Sequence, residues 1–347
     1  MKKIIALVLS LVMVFALAAC GSGAPAATTP ASGTADPSAT APASSAPAAA
    51  ADTSTVAVGA VIIARDDVPE ADVYAFVSTI FDNASAIADQ HGKGKELSLD
   101  FASSITSVPY HPGAARYFAE KGITVASVKD GAGVGDSRAL TLGTGGESGT
   151  YYAFGGVLAS YVSNNGGVAV TAVTSNGSKA NIEDLTAGDV QLAFVQSDVM
   201  SYAYDGERLF DAPVEGFSVV AALYMEQVQI VTTNPDIKSV EDLKGKSVSI
   251  GAAGSGVYFN AIDVLTAYGL AESDIKAVYQ SFGDSADSLK DGKIDAAFIV
   301  AGAPTTAITD LATAGNVYLV SLDDAHVSSL LATSPYYSAY TIPAGTY

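Results

Sequence analysis

Short apolar runs alternate with longer helix-like runs along residues 55–347, which predicts an α/β protein. The predicted strands are Val56–Ala64, Ala139–Gly143, Val168–Thr174, Gln191–Val195, Ser218–Leu223, Val228–Thr232, Ser247–Gly251, Ala277–Tyr279 and Asp295–Val300. The predicted helices are Pro69–His91, Thr150–Ser163, Lys179–Ala187, Val240–Lys244, Val257–Tyr268 and Ala286–Asp291. Because strands and helices alternate, we expect parallel sheets with right-handed crossovers, divided between two lobes.

The first residues have the pattern of a bacterial lipoprotein signal peptide, which we assign to residues 1–19. Lys2 and Lys3 precede an apolar run, Ile4–Ala19, that is short for a membrane span. The run ends in small residues before Cys20, the single cysteine of the chain. This matches a lipobox, in which the cysteine is lipidated; an ordinary signal peptide with a chance cysteine is the alternative.

Residues 20–54 consist almost entirely of Ala, Pro, Ser, Thr and Gly. Such a segment buries too little apolar surface to offset the entropy of ordering it, so we predict a disordered tether. No later segment has 18 uninterrupted apolar residues, as a membrane-spanning helix requires. We therefore expect a globular body held at the outer face of the cytoplasmic membrane through lipid on Cys20 alone.

Composition excludes several classes of function. The chain of 347 residues has 17 basic and 36 acidic residues, a formal net charge of −19, and should repel nucleic acid and anionic membrane surfaces. One cysteine rules out a disulfide framework and a multi-cysteine zinc site. The three histidines, His91, His111 and His326, are scattered, so no metal and no cofactor is predicted.

Three loops after predicted strands share one chemistry. They are Thr144–Tyr152, Ser175–Ser178 and Ala252–Gly256, and each combines glycine with hydroxyl residues just before a helix. In parallel sheets, ligands bind beyond the carboxyl ends of the strands. Glycine lets backbone N–H groups approach a ligand, and a helix N-terminus favours negative charge. Each loop by itself is also consistent with hydroxyl residues that only cap a helix, but three together favour an anion-binding cleft.

Enzyme motifs are incomplete or missing. Gly143-Thr144-Gly145 begins like a dinucleotide fingerprint, but Ser148 occupies the third glycine position. Val240 stands where a phosphate loop ending at Ser247 needs its first glycine. The chain has no G-x-S-x-G and no H-E-x-x-H sequence. We predict that the protein is not an enzyme; a hydrolase would need a nucleophile and base that the sequence does not show.

Several motifs together resemble the TAXI family of TRAP-transporter solute receptors. They are Leu140–Tyr152, Ser175–Ile182, Gln196–Asp198, Asp242–Lys246, Gly251–Gly256, Val300–Thr305 and Thr341–Tyr347. The resemblance implies a two-lobed fold of the periplasmic-binding-protein type (type II), with a hinge and an interlobe cleft. It also implies capture of a small carboxylate, of the glutamate or 2-oxoglutarate class, and its delivery to the membrane subunits of a TRAP permease.

The order of the segments departs from that family. Residues 56–122 resemble the family's carboxyl-terminal section, which normally follows the counterpart of Thr341–Tyr347. The chain therefore resembles a circular permutant with a joining linker at about 125–137, and Tyr347 and Val56 should lie close together. By analogy we place lobe one at 65–226 and lobe two at 55–64 plus 227–347. The hinge is then expected near Gln227–Val231 and Ala60–Arg65.

The resemblance and the loop chemistry give a set of expected ligand contacts. Backbone amides and hydroxyls of lobe one should hold a carboxylate, and Asp198 either receives an ammonium group or caps a helix. The expected residues are Thr144, Gly145, Gly146, Ser148, Gly149, Thr150, Tyr151, Ser175, Ser178, Asn181, Gln196, Ser197, Asp198, Tyr224, Gly254, Ser255, Gly256 and Phe282. We expect a monomer; a ligand-sensing lipoprotein that signals to a membrane kinase is the alternative function.

Overall fold

The computed structural model of the protein describes residues 51–136 and 139–347. The predicted signal peptide, Cys20 and most of the predicted tether lie outside the described residues. The strands are β1 Thr53–Arg65, β2 Leu140–Gly143, β3 Val170–Val173, β4 Leu192–Gln196, β5 Phe217–Thr232, β6 Ser247–Ser249, β7 Lys276–Val278, β8 Ala296–Ala301, β9 Tyr318–Leu319 and β10 Ser338–Ile342. β1 begins two residues inside the predicted tether, because Thr53 and Ser54 pair with β10.

Eleven α-helices accompany the strands in the described ranges. They are α1 Glu70–Asp82, α2 Ala84–Ala88, α3 Leu99–Ala102, α4 Pro112–Glu120, α5 Thr150–Asn165, α6 Ser178–Ala187, α7 Ser197–Asp205, α8 Val257–Ala267, α9 Phe282–Lys290, α10 Thr306–Ala314 and α11 Asp324–Thr333. Short 3₁₀ helices cover Gly92–Glu96, Val240–Leu243 and Glu272–Asp274. The helix predicted over Pro69–His91 is two helices that meet at Asn83. α3, α4, α7, α10 and α11 were not among the predicted helices.

The strands form one mixed sheet rather than the parallel sheets predicted from their alternation with helices. Its order is β3-β2-β4-β1-β5-β8-β6-β7, with β10 on β1 and β9 on β5. β2, β3 and β4 are parallel to one another, and so are β6, β7 and β8. β1 is antiparallel to β4 and β5, and β5 is antiparallel to β8. The strands predicted at Ser218–Leu223 and Val228–Thr232 are one continuous strand, β5.

The register of β1 and β5 brings the two parallel groups together. Gln196, at the end of β4, pairs with Ala60, and Ala60 pairs with Tyr224. Ala301, at the end of β8, pairs with Gln227 three residues further along β5. Since β4 and β8 run in opposite directions, the carboxyl ends of both groups face each other at the middle of β5. Ligands of parallel sheets bind at such ends.

The apolar cores divide the described chain into two lobes, which confirms the predicted two-lobed α/β fold. One core contains Ala60–Ala64, α1, α4, α5 and β5 up to Tyr224. The second lobe contains Val56, Val58 and the chain from Val228 onward, in two adjoining clusters. β1 therefore crosses between the lobes near Gly59, so Ala60–Ala64, which we had assigned to lobe two, pack in lobe one. They do so because they pair with β4.

The last strand lies beside the first. β10 runs antiparallel to the start of β1, with Val56 opposite Ala339, and Ala344 N donates to Asp52 Oδ1 at 2.9 Å. The Tyr347 hydroxyl bonds Gln229 on β5. The start of β1 and the residues that follow β10 are therefore in contact, and the permuted order of the segments stays a prediction. None of the helices in the described ranges is long and apolar enough to cross a membrane.

Ile342 should anchor this final segment. Its side chain is fully buried, whereas the adjacent Thr341 is exposed. We expect Ile342→Ala to lower the free energy of unfolding by about 2–4 kcal/mol, since it removes buried methylenes and leaves a cavity. Thr341→Ala, on the opposite face of the same strand, should change it by less than about 0.5 kcal/mol. Urea unfolding measures both, and equal effects would contradict the assignment.

Candidate functional site

A cavity of about 120 Å³ lies between the lobes, where the carboxyl ends of the two parallel groups meet. Both lobes contribute to its wall. The lining residues are Gly145, Gly146, Gly149, Thr150, Tyr151, Ser175, Asn176, Gly177, Ser178, Gln196 and Glu226, with Ala252, Ser255, Gly256, Val257, Ser281, Phe282, Val300 and Ala301. The volume is close to the roughly 150 Å³ of an engineered cavity that takes up benzene, so a small molecule fits.

Three helices begin at this cavity, and each has a glycine at its N-cap. The glycines are Gly149 before α5, Gly177 before α6 and Gly256 before α8, and a glycine at the N-cap has no side chain that could cap the helix. The first N–H groups of a helix have no partner within the helix, and its N-terminus carries partial positive charge. Three such ends directed at one cavity form an anion-binding surface that needs no Lys or Arg.

The hydroxyl groups at the cavity differ in their availability. Ser175 Oγ donates to Thr144 O at 3.0 Å and accepts from Gly177 N, which shapes the loop before α6. Ser178 Oγ accepts from Gln196 N at 3.0 Å. Ser255 Oγ is buried and has no partner within the described chain. Because an unpaired buried hydroxyl is costly, Ser255 is the hydroxyl best suited to bond a ligand.

Glu226 is the functional candidate that the sequence analysis missed. It lies on β5 between Tyr224 and Gln227, is 2% exposed, and accepts a hydrogen bond from Tyr151 OH at 2.6 Å. Burial raises the pKa of Glu226 from its ordinary value to about 8, and the nearby Asp198 adds to this rise. Within the described lining, Glu226 is the single acidic side chain, and no Lys, Arg or His is present.

Polar contacts join the lobes around the cavity. Thr150 Oγ1 donates to Gly302 O at 2.9 Å, and Ala180 N donates to Gly254 O at 2.9 Å. Gln196 Nε2 of lobe one donates to Asn260 Oδ1 of lobe two at 2.9 Å. The first two bonds join the starts of helices in lobe one to loops of lobe two, and the third joins the end of β4 to α8. The lobes are therefore in direct contact around the cavity that lies between them.

A buried polar network lies behind the cavity and also crosses between the lobes. Asn260 Nδ2 donates to Asp198 Oδ2 at 2.9 Å and to the Tyr337 hydroxyl at 2.9 Å. Tyr337 OH donates to Asp263, whose other oxygen accepts from Arg208 Nη2 at 2.8 Å. Burial raises the pKa of Asp198 to about 7. The network fixes which way the Asn260 amide faces, because its Nδ2 must point to the carboxylate.

The structure places eleven of the predicted ligand contacts on the cavity wall. These are Gly145, Gly146, Gly149, Thr150, Tyr151, Ser175, Ser178, Gln196, Ser255, Gly256 and Phe282. They come from the three predicted loops together with the ends of β4 and α9. The loop chemistry therefore located the wall, although their contact with a ligand remains a prediction.

Seven predicted contacts do not line the cavity, because other groups engage or surround them. Asn181 Nδ2 donates to Thr144 O and Phe194 O at 2.7 and 2.6 Å, so its amide ties the ends of β2 and β4 together. Thr144 Oγ1 donates to Val173 O. Ser148 lies against Gly283 at the lobe contact, and Ser197 Oγ accepts from Gly59 N at the strand crossing.

The remaining three predicted contacts, Asp198, Tyr224 and Gly254, lie behind the residues that line the cavity. Asp198 accepts from Asn260 and also bonds the backbone N–H of Val199 in the first turn of α7, which is consistent with the predicted helix-cap alternative. Tyr224 is buried beneath the Lys93 ammonium group, which lies 5.3 Å from its ring centroid. Gly254 contributes its carbonyl to the bond from Ala180.

The residues that the sequence analysis missed include Asn176, Gly177, Ser281, Val257 and Val300, besides Glu226. Most of them adjoin predicted residues in the same loops. Glu226 had a usable signal, since it interrupts a long apolar run and a fully buried Glu is rare unless it is paired. No group of three or more potential metal ligands occurs within 51–136 and 139–347.

Fold and cavity together define a two-lobed α/β protein that encloses a small cavity between its lobes. The chain matches the model of the NMT1-like family over residues 34–122 and 142–347 and belongs to that family.

The chain is similar in part to several solved structures. The alkanesulfonate-binding protein SsuA from Xanthomonas axonopodis pv. citri, bound to MOPS, is 20% identical over 54% of this chain and 61% of its own, with a TM-score of 0.37. An ancestral arginine-binding protein bound to arginine is 19% identical over 54% and 80%, with a TM-score of 0.39. The substrate-binding protein of an amino acid ABC transporter is 14% identical over 60% and 86%, also at 0.39. This chain spans about three fifths of the sulfonate-binding protein.

Stability should depend on pH through Glu226. The folded protein holds a proton on this group up to a pKa of about 8, whereas the unfolded chain releases it near 4.5. Between these values the folded state binds more protons, so the free energy of unfolding falls as pH rises, with Glu226 contributing on the order of 1 kcal/mol per pH unit. We expect Glu226→Gln to reduce this slope and to be more stable than the wild type at pH 8. Urea unfolding from pH 5 to 8 measures it; an unchanged slope would contradict the assignment.

Proposed function

We propose that the protein is an extracytoplasmic solute-binding protein that captures a small carboxylate between its lobes. The observation that carries this proposal is the meeting of three glycine-started helix N-termini at one cavity between the lobes. The chain carries a strong net negative charge, which disfavours anions at long range. Local donors of this kind are what such a chain needs to hold an anionic group.

The carboxylate is held by backbone N–H groups at the starts of α5, α6 and α8 and by the Ser255 hydroxyl. Both lobes provide these donors, since α5 and α6 belong to lobe one and α8 to lobe two. A ligand that bonds both sides binds the closed form better than an open one, so it shifts the equilibrium toward closure. The crossing segments near Gly59 of β1 and between Tyr224 and Val228 of β5 act as the hinge.

We further propose that the closed protein delivers its solute to the membrane subunits of a TRAP-type permease. The motifs shared with TAXI receptors support this partner, and the permuted order of their segments is part of the same proposal. The lipobox at Cys20 supports attachment to the outer face of the cytoplasmic membrane through lipid. Cys20→Ser should then move the protein from the membrane fraction to the soluble fraction of the source cells.

Calorimetric titration with small carboxylates tests the capture proposal directly. We expect at least one amino acid, 2-hydroxy acid or 2-oxo acid to bind to the purified protein and to raise its melting temperature as its concentration increases. The corresponding amides, which lack the anionic group, should not bind. Binding of the amides with equal affinity, or the failure of every carboxylate, would contradict the proposal.

Gly256→Ala should weaken ligand binding by hindering closure. A Cβ atom at Gly256 would lie 1.5 Å from Gln196 Oε1, so either the buried Gln196 side chain or the contact between the lobes would have to shift at this point. We expect at least about tenfold weaker affinity for any carboxylate that binds the wild type, because the closed form becomes less populated. Gly156→Ala is the matched control, since Gly156 lies in α5 with open space around it. Small-angle scattering should show a more open variant; wild-type affinity and shape would refute the closure argument.

A further inference from the structure

We propose that the cavity holds a zwitterion, with a ligand ammonium group on Glu226 and Gln196 and the ligand carboxylate on the helix N-termini. The ligand class is then an α-amino acid with a small uncharged side chain, rather than a dicarboxylate such as 2-oxoglutarate. This inference rests on the proposed capture of a carboxylate and specifies its chemistry. The buried acidic side chain at the cavity wall is its starting point.

Glu226 is an unusual group for a cavity that binds anions. It is 98% buried, and the protein donor on its carboxylate is Tyr151 OH, at 2.6 Å. The nearby ammonium group of Lys93 is engaged by Glu96 at 2.6 Å. No basic side chain is present in the described cavity lining. The protein therefore supplies no counter-charge for Glu226 at the cavity itself.

Charge balance then constrains the ligand. A ligand that carries only negative charge can bind only while Glu226 keeps its proton, because two anions in a cavity of about 120 Å³ repel strongly. A ligand with an ammonium group supplies the positive charge that lets Glu226 ionise and leaves its carboxylate to the helix N-termini. Burial raises the pKa of Glu226, which is consistent with a carboxyl group that lacks a fixed cationic partner.

Gln196 gives a second observation that points to a ligand cation. Asp198 fixes the Asn260 amide so that Asn260 Oδ1 accepts from Gln196 Nε2 at 2.9 Å. This leaves Gln196 Oε1 as the remaining polar atom of that side chain, and it is buried without a partner in the described chain. The side chain is 2% exposed and lines the cavity. An ammonium group donates, so it suits an oxygen that can only accept.

The remaining walls favour a small, uncharged ligand side chain. Phe282, Val257, Val300 and Ala301 supply apolar surface, and Ser255 and Ser281 supply hydroxyl groups. Alanine has as many heavy atoms as benzene, which occupies an engineered cavity of roughly 150 Å³. A second carboxylate, as in glutamate, would find no basic side chain in the described lining. Small neutral amino acids therefore match the cavity in both size and charge.

Matched pairs of ligands test the inference on the whole protein. Glycine, L-alanine, L-serine and L-valine are titrated beside glycolate, L-lactate, L-glycerate and L-2-hydroxyisovalerate, which replace the ammonium group with hydroxyl. We expect at least one amino acid to bind roughly 30-fold or more tightly than its hydroxy partner, because a buried charge pair is lost in the partner. L-Glutamate and 2-oxoglutarate should bind less tightly than that amino acid.

Glu226→Gln supplies the variant test. Glutamine keeps the shape and still accepts from Tyr151, but it removes the negative charge. We expect the affinity for the selected amino acid to fall by roughly 30-fold or more, while the affinity for its hydroxy partner is unchanged or higher. Glu241→Gln is the control, because Glu241 is exposed and its replacement changes the net charge equally. Circular dichroism melting establishes that both variants are folded.

The pH profile of the wild-type protein gives a readout that needs no variant. Tyr151 from α5, Tyr224 from β5, Asp198 from α7 and Lys93 from the 3₁₀ segment are the ionisable groups that influence Glu226. Since an ammonium ligand requires the ionised carboxylate, amino acid affinity should rise about tenfold per unit from pH 6 toward 8. The affinity of the hydroxy partner should not rise over this range.

The possible outcomes distinguish failure of the zwitterion assignment from failure of the proposed carboxylate capture. If hydroxy acids or 2-oxoglutarate bind as tightly as every amino acid, or if Glu226→Gln leaves amino acid affinity unchanged, the zwitterion assignment is overturned while carboxylate capture stands. If no carboxylate binds the folded wild-type protein, the proposed function fails and the assignment fails with it. Preference for an amino acid that disappears in Glu226→Gln supports both.

Discussion

The antiparallel pairing of β1 with β5 is the constraint on which the remaining structure depends. Nine residue pairs, from Ala57 opposite Gln227 to Arg65 opposite Phe217, carry both strands through both lobes. The two parallel strand groups attach to this pair from opposite sides and in opposite directions. Their carboxyl ends therefore meet at the middle of β5, and the loops that follow them have to face each other. The cavity is a consequence of that register.

The same register explains why an acidic residue lies beside three helix N-termini. Glu226 lies on β5 just after Tyr224, whose partner Ala60 pairs with the end of β4, and just before Gln227, which pairs with the end of β8. Its side chain therefore reaches the cavity at the point where both groups end. Helix N-termini provide the cavity's positive potential through backbone dipoles, which carry no titratable charge. The helix N-termini and the buried carboxyl group of Glu226 thus lie at one cavity. This arrangement is the basis of the proposal that the ligand carries both a positive and a negative charge.

The lobes contact each other mainly through polar groups where they enclose the cavity. Gln196, Asn260 and Asp198 form a buried chain across the gap, and backbone atoms of Ala180 and Gly254 bond directly. Buried polar groups are costly when they lose their partners, so such an interface favours one well-defined closed arrangement. Polar interfaces of this kind are common between domains that move. Apolar packing also crosses between the lobes at one point, since Phe259 of α8 lies in the core of lobe one against Tyr202 and Phe210.

Local sequence pattern determined much of this protein. The short apolar runs located the strands, and the glycine and hydroxyl loops located most of the cavity wall, because backbone freedom and helix capping are properties of a few adjacent residues. Strand direction could not be obtained this way, since β1 and β5 pair with partners far away in the chain. The roles of Asn181, Asp198 and Glu226 were decided by tertiary structure alone: Asn181 turned toward two carbonyls, Asp198 toward the opposite lobe, and Glu226 into the cavity. Each of these side chains has a partner more than ten residues away in the chain, and long-range pairing sets which face a side chain takes.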